Sequence, residues 1–270
     1  MTILIVLLGL LASHFLPSIR RWRQYDWLLW PMGRITGSPA APGWAAPMTL
    51  LLVAVIVALI AGALFTALLG RVGWIVPALA AFLYTLGPRD LDRDVSALLE
   101  QPQHADGREA ATALGVRPDQ SAPQAASAVL YAACTRWFAV VFWFAVLGVA
   151  GVLAYRLCHR AMQSDSISAE ALDGLARLRW VLEWPVLVLM VVTAGLCADL
   201  DRVYQAWRRH AGQRPAWLID PRMLGLVAEA LMADAVEIPV GVRRGHQLAW
   251  RMLVLWLVVM SLLLLAGWLV

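Results

Sequence analysis

The chain contains no lysine and no asparagine; all 22 of its basic residues are arginine. Without lysine there is no phosphate-loop lysine and no Schiff-base amine, and without asparagine there is no N-glycosylation sequon. Cysteine is scarce. Cys134, Cys158 and Cys197 each stand near the edge of an apolar run, form no CxxC and match no zinc spacing, which reads as structural thiols in packed helices. The five histidines (His14, His104, His159, His210 and His246) are scattered and fit no metal motif, and GxSxG, P-loop and HExxH patterns are missing. Only 15% of the residues are charged, against roughly 25% in an ordinary soluble domain. The net charge of +4 does not indicate nucleic acid. The arginines flank hydrophobic runs instead of forming a basic tract, which is how membrane proteins use them.

What fills the chain instead is hydrocarbon. Apolar residues make up 61% of it, well above the roughly 45–50% of soluble domains. Apolar runs recur at about 1–16, 48–69, 72–86, 129–155, 181–198 and 252–270, and each reads as a membrane helix or part of one. The first lacks the basic n-region of a secretory signal, so it reads as a retained, short span. Residues 18–35 mix Arg20, Arg21, Arg23 and Arg34 with Trp22, Trp27 and Trp30, as an interfacial helix does. The runs 48–69 and 72–86 read as a helical hairpin. The fold class is therefore all-α, a polytopic membrane protein with about 4–6 membrane helices. Segments 87–128 and 199–247 are polar enough to be cytoplasmic helices, and too small for a core of their own.

The stretch Tyr84–Leu99 marks the boundary between the two compositions. Gly87-Pro88 ends an apolar run, and Pro88 suits the first position of a new helix. Asp90, Asp92 and Asp94 suit the positive end of that helix. Leu91, Val95, Leu98 and Leu99 form an apolar stripe that must be buried somewhere. The expected surface is a second amphipathic helix around Leu224–Ala235, capped by Asp220 with Pro221 as its first residue. Ser168 is the expected cap of another helix, in which Asp173/Arg177 and Arg179/Glu183 stand one turn apart.

Two features bear on topology and chemistry. Six simple crossings would put Arg156, Arg160, Arg177 and Arg179 outside, against the positive-inside tendency. The alternative is that the fourth run, interrupted by Gly148 and Gly151, bends back as a re-entrant pair of half-helices. For chemistry, Asp90, Asp92 and Asp94 with Arg89 and Arg93 form a group able to hold Mg²⁺ with a phosphorylated ligand. The plainer reading is helix-dipole complementation. Glu183 is an ionisable residue inside an apolar run, which makes it a functional candidate. Arg179 one turn earlier and Trp184 beside it favour the plainer reading, an interfacial structural residue.

LGPRDLDRDVSALLE (Leu86–Glu100), GVLAYRLCHR (Gly151–Arg160), RWVLEWPVLVL (Arg179–Leu189), the helix after Asp220 and the final GWLV together resemble a membrane-protein superfamily. It comprises the AmpE proteins and their relatives, the CobD/CbiB proteins of cobalamin synthesis. The latter carry a Glu-Asn-Thr motif where this chain reads Ala133-Cys134-Thr135, so AmpE is the better match. That resemblance implies a multi-pass protein of the bacterial inner membrane, an accessory in β-lactamase induction and cell-wall-recycling signalling. Its implied partners are the lipid bilayer and a cytoplasmic protein or muropeptide-like ligand, with no cofactor and no nucleic acid. Candidate ligand-binding residues are Arg89, Asp90, Asp92, Arg93, Asp94, Tyr155, Arg156 and Glu183. The alternative is a membrane-embedded ligase or transferase of the CobD/CbiB kind, using Mg on a phosphorylated ligand.

Overall fold

Apolar runs in a bilayer must satisfy their own backbone hydrogen bonds, and helices do so locally. The structure, a computed structural model, describes residues 43–70, 75–85, 89–163, 168–211 and 220–266. The run 1–16, the Arg/Trp stretch 18–35, Gly87-Pro88 and the final GWLV lie outside the described residues. Within them every regular element is helical: α1 (Ala45–Leu69), α2 (Ile75–Thr85), α3 (Leu91–Glu100), α4 (Ala105–Leu114), α5 (Ala122–Ala133), a π-helical turn (Cys134–Phe138), α6 (Ala139–Ala161), α7 (Ala169–Cys197), α8 (Leu200–Ala211), α9 (Arg222–Leu231) and α10 (Ile238–Leu265). Four stretches are long and apolar enough to cross a membrane: Ala45–Leu69, Ala122–Ala161, Ala169–Cys197 and Ile238–Leu263. The chain is an all-α, multi-pass membrane protein. The described part of the hairpin's second arm, α2, is about 16 Å long, half of a ~30 Å hydrocarbon core. Both α7 and α10 begin well before the apolar runs 181–198 and 252–270, because their amphipathic first turns continue unbroken into the apolar part. Ser168 Oγ accepts from Ala171 N at the start of α7, as its expected cap.

The described residues divide into two compact units. One contains α1, α2, α6 and the first half of α7. Here α6 packs on α1 and α2, with Phe82 and Phe144 edge to face at 5.0 Å. α6 is not straight. Gly148 has φ 60° and ψ −142°, a conformation open essentially to glycine alone. A Cβ on Gly151 would stand 2.6 Å from the Trp143 carbonyl oxygen, although residues eight apart in a straight helix are separated by about 12 Å. The chain turns back sharply at Gly148.

The other unit contains α3, α4, α5, the second half of α7, and α8 to α10. Its seam joins α5 to α10. Gly241 and Gly245 sit so close to Ala122 and Ala126 that a Cβ on either would meet a carbonyl oxygen at 2.1 and 2.9 Å. This small-xxx-small spacing on both helices is what lets membrane helices approach at backbone distance. Ser121 and Gln124 close a capping box at the start of α5. Asp220 Oδ1 accepts from Arg222 N and so caps α9, with Pro221 in helical conformation before it.

One expected pairing is replaced by another. Leu91 and Val95 are buried and Leu98 and Leu99 half-buried, but α3 packs mainly on α4 and then on α10, while α9 packs on α5 and α8. The short turn after Glu100 folds α4 back onto α3. Gly107 permits the close approach there, since a Cβ would stand 1.9 Å from the Gln101 carbonyl oxygen.

Candidate functional site

The acidic helix start resolves into separate roles. α3 begins at Leu91 and not at Pro88, because Asp90 is extended and acts as its N-cap, accepting from Asp92 N at 3.0 Å. Asp94 is buried, with 4% of its surface exposed. It accepts from Arg89 Nε at 3.1 Å and from Arg136 Nη1 at 2.7 Å. Arg136 comes from the π-helical turn, and its Nη2 also donates to the Ala113 carbonyl at 2.7 Å. A guanidinium there faces the negative end of α4. Arg89 reaches on to Glu109. Burial alone would lower the Arg89 pKa, but the hydrogen bonds and charges of Asp94 and Glu109 outweigh it and hold it above its ordinary value.

Asp92 turns the other way, toward α10. His246 Nε2 lies 2.6 Å from Asp92 Oδ1, and Trp250 Nε1 donates to the same oxygen at 2.9 Å. Trp137 stacks edge-on against Trp250 at 5.2 Å. Arg93 is exposed. The three carboxylates thus face three different sets of donors. Among the described residues no three His, Cys, Asp or Glu side chains converge as metal ligands would.

Tyr155, Arg156 and Glu183 belong to the other unit and are buried there. Arg156 Nε donates to the Thr85 carbonyl, which places a cation at the C-terminal end of α2. Glu183 is only 2% exposed. Its Oε1 lies 3.8 Å from His159 Nε2 and 3.9 Å from Arg179 Nε. The i, i+4 partner is the expected one, but the interfacial, exposed pair is not: His159 on α6 covers the carboxylate from a second helix. Tyr155 lies against the His159 ring at 5.8 Å, and Cys158 Sγ donates to the Leu175 carbonyl at 3.6 Å. The result is a buried carboxylate beside an imidazole and a guanidinium, inside helices of membrane-spanning composition. Ionisable groups at such depth are rare and mark ligand or proton sites.

Sequence reasoning did not assign Arg136, His159, His246 or Trp250. Three of them had a signal. Arg136 interrupts an apolar run, and His246 and Trp250 stand one turn apart on one helix face. Comparison of the chain with known protein families, with curated proteins and with solved structures finds no match in any of the three.

Proposed function

We propose that the protein is a membrane regulator or sensor of the AmpE type in a bacterial inner membrane, modulating β-lactamase induction or cell-wall-recycling signalling. The observation that supports this reading over a synthetase is the occupation of the acidic cluster. Asp90 is committed to the backbone, Asp92 to His246 and Trp250, and Asp94 to Arg89 and Arg136. Carboxylates bound to the chain's own donors would have to break those contacts to take Mg²⁺. With their arginine partners they instead fasten α3 to α4, the π-helical turn and α10, as a relay or docking element needs. The buried group around Glu183 is the place for a small polar signal such as a muropeptide-like ligand.

The buried Glu183 beside His159 also favours a second reading, a ligase or transferase with an acid–base pair acting on a phosphorylated ligand. Deletion of the gene, with β-lactamase induction and corrinoid pools both measured, separates the two. Altered induction with normal corrinoids is the expected result, whereas depleted corrinoids with unchanged induction overturns the regulatory reading. Within the regulatory reading, Glu183→Gln should abolish the response at unchanged protein level and melting temperature.

A further inference from the structure

A cavity of ≈240 Å³ opens where the end of α7, the end of α9 and the middle of α10 meet. Its lining combines Ala198, Leu231 and Met232 with Arg244, Gln247 and Arg251. Arg244, Gln247 and Arg251 recur at i, i+3 and i+7, on one face of α10. Arg244 is tied to Asp234 by two contacts of 2.8 Å. Arg251 has no carboxylate partner among the described residues. The cavity is smaller than the ~300–1,000 Å³ of sites that enclose whole drug-sized ligands. It suits a headgroup.

Its depth is set by the two spans it borders. The run 181–198 ends at Ala198 and the run 252–270 begins just after Arg251, so both leave the hydrocarbon at the level of the cavity. Beyond Arg251, the exposed residues Val254, Val258 and Leu262 continue the same face of α10 into the apolar span. α8, which packs on α9, is strongly amphipathic. It turns Tyr204, Arg208 and Arg209 outward, with Tyr204 stacked on Trp207 at 5.9 Å. Arg202 in its first turn is already paired with Asp199 at 3.2 Å, so Arg208 and Arg209 carry the outward charge. Aromatic rings beside arginines at the end of a span are the composition of a headgroup-level helix.

We infer that this cavity binds the phosphate of an anionic membrane phospholipid. Arg251 is the principal cation, Gln247 and Arg244 supply further donors, and an acyl chain lies along Val254, Val258 and Leu262. Guanidinium is the side chain best matched to phosphate, and the apolar track leading away from it fits a lipid and not a free phosphate.

The test uses the full chain in nanodiscs of equal phosphatidylcholine and phosphatidylglycerol, followed by native mass spectrometry of the lipids it retains. The expected result is preferential retention of phosphatidylglycerol, reduced about tenfold by Arg251→Gln, the scale of one charge-assisted hydrogen bond. Met232→Trp, which fills the cavity and leaves its charges in place, should reduce it as well and stands in if Arg251→Gln fails to fold. Equal retention of the two lipids overturns the inference, as does phosphatidylglycerol retention unchanged in both variants. Displacement of the lipid by millimolar inorganic phosphate with no acyl requirement overturns the assignment to a lipid.

Discussion

Asp94 is the residue on which the polar helices depend. Nearly all of its carboxylate is out of solvent, held between Arg89 and Arg136. Arg136→Gln removes a charged hydrogen bond and the donor to the Ala113 carbonyl together. The expected cost is about 2–3 kcal/mol, because Arg89 still compensates the buried charge. It would appear as a lower melting temperature in detergent, and an unchanged melting curve would show that Arg89 alone suffices. Asp234 is the contrasting, exposed case. The Arg244 guanidinium hydrogen-bonds its carboxyl and holds its pKa below the ordinary aspartate value. A depressed folded pKa means the link is present above the unfolded value of about 3.9 and is lost as pH falls through the folded one. A carbon-detected NMR titration should find Asp234 below that value and returned toward it in Arg244→Gln. The sequence made the charges of Arg89 and Asp94 visible but not the partnership with Arg136, which stands 42 residues away. Nothing local to either residue encodes that π-helical turn.

The most exacting element is the seam between α5 and α10. Gly241 faces backbone, so a larger side chain cannot be absorbed by moving a neighbouring rotamer. Gly241→Leu should separate the two helices and cost about 1–3 kcal/mol, measured as a loss of melting temperature with helix content retained. Gly62, whose surroundings are open, should accept the same change without it. At this scale the sequence was informative about existence and capping. The caps at Ser168 and Asp220 and the break in the fourth run follow from side-chain chemistry within a few residues. It was less informative about partners. The stripe Leu91–Leu99 specifies that it is buried and not by what, and α4 reaches it first through a short turn. Pro88 and Asp90 both suit a first turn in the sequence, and the capping carboxylate of Asp90 sets the start of α3 at Leu91.

For the whole molecule, the fold at Gly148 bears on sidedness. α6 carries no polar side chain other than Trp143 between Ala139 and Ala154, so the bend lies in a wholly apolar stretch. A chain that returns there brings Arg156 and Arg160 back to the side the arginine distribution demands. A cytoplasmic reporter fused after Gln163 should therefore be active and a periplasmic one inactive; the reverse pattern would favour a straight crossing. Membrane class was legible because composition alone determines it. The pairing of distant helices was not, since it depends on small residues whose spacing has meaning only once two helices are juxtaposed. That seam also has a consequence for biosynthesis. Gly241 is made about 120 residues after Ala122, which at roughly 5–20 residues per second is on the order of ten seconds. Throughout that interval the alanine face of α5 is without its mate, available to an insertion chaperone or a protease, and the arrival of α10 ends that exposure.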